Sequence, residues 1–283
     1  MLLRSEFYRA FHRKSTYVSF LFLIALQVIG FYNSLMINGL IPLHEYNSWY
    51  LFLKTIGLNM NSIWAVCLPI AVALPLGDSL VMDIKSGFDV PLVLRVGVRH
   101  YFLWKWISNA LVTAIVMGAA NVCGLVIALI WRHDVQIPTI VYHDVYGPKA
   151  FTVVFGSGYV PAVFGHLFLT DPLLYCLLTI GITMLIASAL SGIAVSTTLW
   201  VKYRYLVLVT PIIFYYLFSI FPQFFVGGWQ WTTFILSTAF WQFTRPFWQI
   251  PVYWLALLVL SFLMMAFGPR RYRKMMFSYQ GHE

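Results

Sequence analysis

Six apolar stretches, residues 17–37, 61–80, 102–131, 172–200, 205–221 and 251–267, recur along the chain with short polar segments between most of them. A hydrocarbon layer about 30 Å thick takes about 20 helical residues, and inside it every backbone N–H and C=O must be satisfied within the helix itself. The repetition therefore predicts an all-α polytopic membrane protein with six transmembrane helices in a single domain over residues 1–283. Composition agrees: 61% of residues are hydrophobic, 10% are charged, and mean hydropathy is +0.80, outside the soluble range.

Charge placement sets an orientation. Arg4, Arg9, Arg13 and Lys14 precede the first stretch, Lys85, Arg95, Arg99 and Lys105 lie between the second and third, Lys202 and Arg204 between the fourth and fifth, and Arg270, Arg271, Arg273 and Lys274 follow the sixth. With six spans these 14 of 18 basic residues share one side, which the positive-inside rule makes cytoplasmic, with both termini there. A net charge of +9 confined to such clusters matches an anionic leaflet and not a nucleic acid. The expected setting is a cell membrane, that of a bacterial plasma membrane.

Residues 1–16 read as a surface helix that places Leu3, Phe7, Ala10, Phe11 and the stem of Lys14 on one side and Glu6, Arg9, His12 and Arg13 elsewhere. The apolar run that follows lacks a small-residue cleavage site, so it is expected to remain as the first span. Trp49 and Tyr50 suit an interfacial belt. Pro69 and Pro75 should bend the second span, and Asp78 should mark its water boundary. Ala120, Gly124 and Ala128 in the third span, and Ser188, Gly192 and Ser196 in the fourth, recur at every fourth position and allow close helix approach, with Asn121 adding an interhelical hydrogen bond.

Residues 132–171 form the longest polar excursion, expected as an extracellular loop. Its pairs His133-Asp134 and His143-Asp144 match no metal-ligand spacing and read as loop polar groups. Residues 222–250 carry Trp229, Trp231, Trp241 and Trp248, broken by Gly227-Gly228 and Pro246, and are expected to re-enter the outer leaflet. Cys67, Cys123 and Cys176 all lie in apolar stretches and give no disulfide framework.

No G-x-S-G or H-E-x-x-H occurs, the spans carry no paired carboxylates, and no Gly-Lys dipeptide is present for a phosphate-binding loop. The chain is expected to be no enzyme, to hold no metal or cofactor, and to take any energy for transport from a separate nucleotidase.

The stretch from Asp83 to Lys105 stands out. Asp83, Gly87, the apolar patch Phe88, Val90, Leu92, Val93 and Leu94, then Arg95, Arg99, Tyr101 and Lys105 make a charged interruption whose apolar part needs burial against something. A partner protein or the membrane surface would serve.

The order of these features resembles the permease subunits of ABC-2 type transporters, the mostly exporting branch of ATP-binding cassette systems. The resemblance covers the whole chain: a basic amphipathic elbow helix with Glu6, Arg9 and Arg13, six spans, a broken aromatic segment before the sixth, and the loop 81–101 with Asp83, Gly87, Leu92 to Leu94, Arg95, Arg99 and Lys105. It implies a coupling helix at about Ser86 to Leu94 in which Phe88, Leu92 and Leu94 dock on a P-loop ATPase. It also implies two copies of that ATPase carrying ATP and Mg, and a second permease half, identical or related. The segment 132–171 is longer than in compact members. The aromatic outer region favours a hydrophobic or amphipathic substrate such as a peptide, lipid or drug. Two other classes fit the same composition: an ATP-independent carrier or channel, and a receptor or immunity protein that captures an external peptide through residues 132–171.

Overall fold

A computed structural model describes residues 2–36, 48–53, 55–56, 63–131, 140–143, 151–155, 158–161, 167, 170–201, 203–224 and 249–280. Among the described residues ten helices run in the order α1 Leu2–Phe11, α2 Lys14–Met36, α3 Ser48–Leu53, α4 Ile63–Ala73, α5 Ser79–Ser86, α6 Asp89–Val96, α7 Val98–Trp131, α8 Pro172–Thr197, α9 Arg204–Ile220 and α10 Gln249–Gln280. A short 3₁₀ turn, Phe221–Phe224, follows α9. The bundle is helical as expected.

Helices α7 and α8 form the central pair. Helix α10 packs along both, α2 along α7 and α4, and α9 along α8 and α4. Among the described residues, three helices are long and apolar enough to cross a membrane: Lys14–Asn33 within α2, and all of α7 and α8. This identifies a membrane protein. The apolar stretches Tyr205–Ile220 and Val252–Gly268 are shorter.

The stretch expected as the second span, 61–80, holds α4, a turn and the first two residues of α5, so the bend expected at Pro75 is a break. Pro75 lies in the break between α4 and α5 and has no N–H to offer the carbonyl of Ala71, four residues back. Ser19 on α2 donates its hydroxyl to that carbonyl at 2.7 Å, and Ser15 donates to the Pro75 carbonyl at 3.3 Å. The neighbouring helix thus supplies what proline removes. Pro69 is accommodated inside α4.

Small residues bring helices together, each at a different partner. A Cβ on Gly124 would lie 1.3 Å from Gln27 Oε1 of α2, and one on Gly192 would lie 2.7 Å from Ser261 Oγ of α10. Asn121 links three helices: Gln27 Nε2 donates to its carbonyl oxygen at 2.7 Å, and its own amide donates to Thr183 Oγ1 at 2.7 Å. The expected interhelical hydrogen bond is present. On the α7–α8 seam, Ser188 donates to the Ala110 carbonyl, and Ser196 to the Ser261 carbonyl of α10.

Several expectations need correction. Residues 140–143, 151–155 and 158–161 form a three-stranded antiparallel meander, with Ile140 opposite Val154 and Val153 opposite Val160; the excursion 132–171 is thus partly ordered strand. Helix α3 is packed against α7 and α8 with Leu51, Phe52 and Leu53 buried, and Trp49 is half-buried against the same core. The basic tail Pro269 to Met276 continues α10 as helix and does not end it. The aromatic segment 225–248 and the two positions Tyr50 and Lys54 lie outside the described residues or side chains.

Candidate functional site

At the end of the bundle where α1, α5, α6 and the start of α7 meet, four carboxylates point inward. Asp83 is 1% exposed, Asp89 2%, and Glu6 and Asp78 3% each. A buried carboxylate is tolerated when cations or hydrogen-bond donors face it: Asp83, Glu6 and Asp78 meet basic side chains, and Asp89 meets a tyrosine hydroxyl.

Lys105, 2% exposed on α7, places its ammonium 2.6 Å from Asp83 Oδ2 and 2.7 Å from Glu6 Oε2. Arg9 donates to both oxygens of Asp83 and to Glu6 at 3.0 Å. Tyr101, one helical turn before Lys105, donates its hydroxyl to Asp83 Oδ2 at 3.1 Å. Two acids and two bases balance. A turn away, Arg13 meets Asp78 at 3.3 Å. Burial alone would raise the Asp83 pKa, but the Lys105 charge and the Arg9 hydrogen bond outweigh it and hold it below the usual carboxylate range. Burial likewise disfavours the Arg9 charge, and the Asp83 hydrogen bond overrides that and raises its pKa.

Both sides of α1 meet protein: Ala10 is buried and Phe7 half-buried on the apolar side, Glu6, Arg9 and Arg13 bind α5, α7 and the α4–α5 turn, and Tyr8 and Phe11 are exposed. Asp78, expected at the water boundary, is buried and paired.

Helix α6 carries the apolar patch. It hangs between Gly87, at φ 68°, and Gly97, at φ 86°, two positions where an L-residue would be strained. Val93 is buried and Leu92 half-buried against Tyr101 and Phe102 of α7. Leu94 is 82% exposed, and Phe88 and Val90 are also exposed. The Arg9 guanidinium sits 4.5 Å from the centre of the Phe88 ring, a cation–π contact. Arg95, Arg99 and Lys85 are exposed around the patch.

Of the residues singled out in the sequence, the structure brings Glu6, Arg9, Asp83 and Lys105 into one buried cluster, with Arg13 in a second pair. Phe88, Leu94, Arg95 and Arg99 form a separate surface, and Gly87 joins the two. Asp89 and Tyr272 were not anticipated: the Tyr272 hydroxyl of α10 donates to Asp89 Oδ2, and its ring packs edge-on against Phe102 at 5.2 Å. Burial and the bond to Asp89 both raise the Tyr272 pKa. Among the described residues no three His, Cys, Asp or Glu side chains converge as a metal would require.

No family model matches this chain, and no curated protein or solved structure matches it.

Proposed function

We propose that the chain is the membrane-spanning permease subunit of an ATP-driven exporter of the ABC-2 kind, working on a hydrophobic or amphipathic substrate in a bacterial plasma membrane with both termini cytoplasmic. Two such halves, identical or related, pair with two copies of a separate P-loop ATPase that holds ATP and Mg. The six-span arrangement with an elbow helix and a re-entrant aromatic segment belongs to this proposal.

The observation that carries it is the exposed apolar and basic surface of α6 on a rigidly held base. Helix α7 has 34 residues, about 51 Å of helix against about 30 Å of hydrocarbon. Taking Trp131 as the anchor at one interface, the first turns of α7 stand beyond the other. Helix α6 lies at that protruding tip, where lipid does not cover Leu94 and where the surrounding exposed charges are basic. A soluble protein surface with an apolar floor is the covering that fits. The buried ion cluster beneath ties α5 to α1 and α7, so force applied to the loop reaches the spans.

Tagged protein extracted gently from native membranes should recover a P-loop ATPase, with ATP hydrolysis in the eluate. Changing Phe88, Leu92 and Leu94 to Asp should abolish that recovery while membrane insertion is unaffected. Stable, inserted wild-type protein that brings down no nucleotidase would overturn the proposal in favour of an ATP-independent carrier or a peptide receptor.

A further inference from the structure

We propose that Tyr272 is a positioning residue that pins the orientation of α6, so that the last membrane helix sets the pose of the exposed patch. The inference deepens the docking reading and rests on it for its functional consequence.

Helix α6 is eight residues long and has glycine at both ends. A Cβ built on Gly87 or Gly97 meets nothing within 4 Å. Crowding therefore does not explain either glycine; their positive φ values do. Two uncrowded glycine joints leave the direction of a short helix underdetermined by the backbone, and hinge positions of this kind absorb changes in φ and ψ at little cost. What fixes α6 must come from side chains.

Val93, with Leu92 beside it, seats the second turn on α7, and a polar contact acts at the first turn. Asp89, the first residue of α6, is buried and accepts the Tyr272 hydroxyl. Tyr272 itself is 4% exposed and lies beyond the apolar stretch of α10, which ends at Gly268. Helix α10 runs 32 residues without interruption, about 48 Å, so the tyrosine is a rigid continuation of the last span. Its ring packs edge-on against Phe102 of α7 at 5.2 Å, a second hold on the side chain besides its bond to Asp89. A movement of α10 against α7 would thus be felt at Asp89 before anything else on α6. On the opposite side Arg9 covers Phe88, one residue before α6. The helix is pinned between the first and last helices of the chain.

The test uses the full chain with its three native cysteines changed to alanine and nitroxide labels on Leu94→Cys and Ile130→Cys, both exposed sites on α6 and the far end of α7. Reconstituted in lipid nanodiscs, the parent should give one narrow distance. Tyr272→Phe keeps the ring on Phe102 and removes only the donor. It should raise the population of other α6 orientations about tenfold, the shift expected for losing one hydrogen bond to a charged acceptor. Asp89→Leu should do the same, and Asp89→Asn, which still offers a carbonyl oxygen, should restore the narrow distance. An unchanged distribution in folded Tyr272→Phe and Asp89→Leu proteins overturns the inference. Should the lone Asp89 charge unfold Tyr272→Phe, the pair Tyr272→Phe with Asp89→Leu removes it, and a narrow distance there is equally fatal.

The docking reading is judged separately by ATPase recovery with the unlabelled parent. Recovery with an unpinned α6 that stays narrow sinks the Tyr272 role and leaves docking standing. Absence of recovery with a broadened Tyr272→Phe distribution sinks docking and leaves the pin.

Discussion

Lys105 Nζ lies 2.6 Å from Asp83 Oδ2, across 22 residues of sequence, and the same ammonium reaches Glu6 at 2.7 Å. One cation thereby joins α1, α5 and α7. Replacing Lys105 with Met leaves two buried carboxylates facing each other with a single arginine. The expected cost is about 3–5 kcal/mol, that of breaking a buried pair from one side. Thermal unfolding followed by size exclusion in detergent measures it. Adding Glu6→Gln to Lys105→Met should recover part of the loss, because the two positions share one network; strictly additive costs would contradict the cluster.

The pH dependence has a fixed sign. The Asp83 pKa is depressed in the folded protein, so its contribution is complete above the unfolded value of about 3.9 and is lost only as pH falls through the lower folded value. Melting temperature should be insensitive to this group from neutrality down to about pH 4 and fall below that. Asp83→Asn should lower the plateau and flatten the acidic limb. A decline in the parent that begins well above pH 4 and is abolished by Asp83→Asn would contradict the assignment.

Gly124 and Gly181 should behave oppositely when changed to alanine. At Gly124 the new methyl falls on Gln27 Oε1, displacing the amide that holds Asn121, at a cost of about 1–3 kcal/mol for overpacking. Gln27→Ala should relieve the clash in combination. At Gly181 a Cβ meets nothing within 4 Å, and alanine should stabilise the helix by about 0.5–1 kcal/mol. Melting temperatures of the three variants decide the matter.

Exposed arginines separate docking from folding. Arg95→Glu and Arg99→Glu alter exposed residues of α6 and the first turn of α7, so stability should stay within about 0.5 kcal/mol. Recovery of the proposed ATPase should weaken and lose its sensitivity to salt. Full recovery with unchanged salt dependence would remove these two residues from the interface.

What the sequence made legible follows from local rules. Apolar length marked the three helices that are long enough to cross a membrane, among six expected spans; four-residue spacing of small residues marked where helices approach, and Asn121 forms a link because a buried amide in lipid needs a partner. The ion cluster was out of reach for a physical reason: Glu6 and Lys105 are 99 residues apart, and no periodicity relates them. The amphipathic pattern of α1 was visible, but a pattern gives two faces and not their surroundings. The charged face met protein because Asp83, Asp78 and Lys105 were waiting for it. A cue did exist in Tyr101 and Lys105, one turn apart on α7, which aim a donor and a cation at one place. Tyr272 and Asp89 gave no such cue, being separated by 183 residues.

Chirality offers one last handle on the joint before α6. Gly87 has φ 68° and ψ 8°, in the left-handed region that L-residues rarely adopt, and a Cβ there would meet open space. Handedness alone, and not size, excludes other residues there. D-Alanine introduced by protein semisynthesis should fit this joint and stiffen it, whereas L-alanine with the same atoms should strain it. The two mirror-related residues would thus lock or distort the same hinge by backbone preference, the L-methyl pointing into open space.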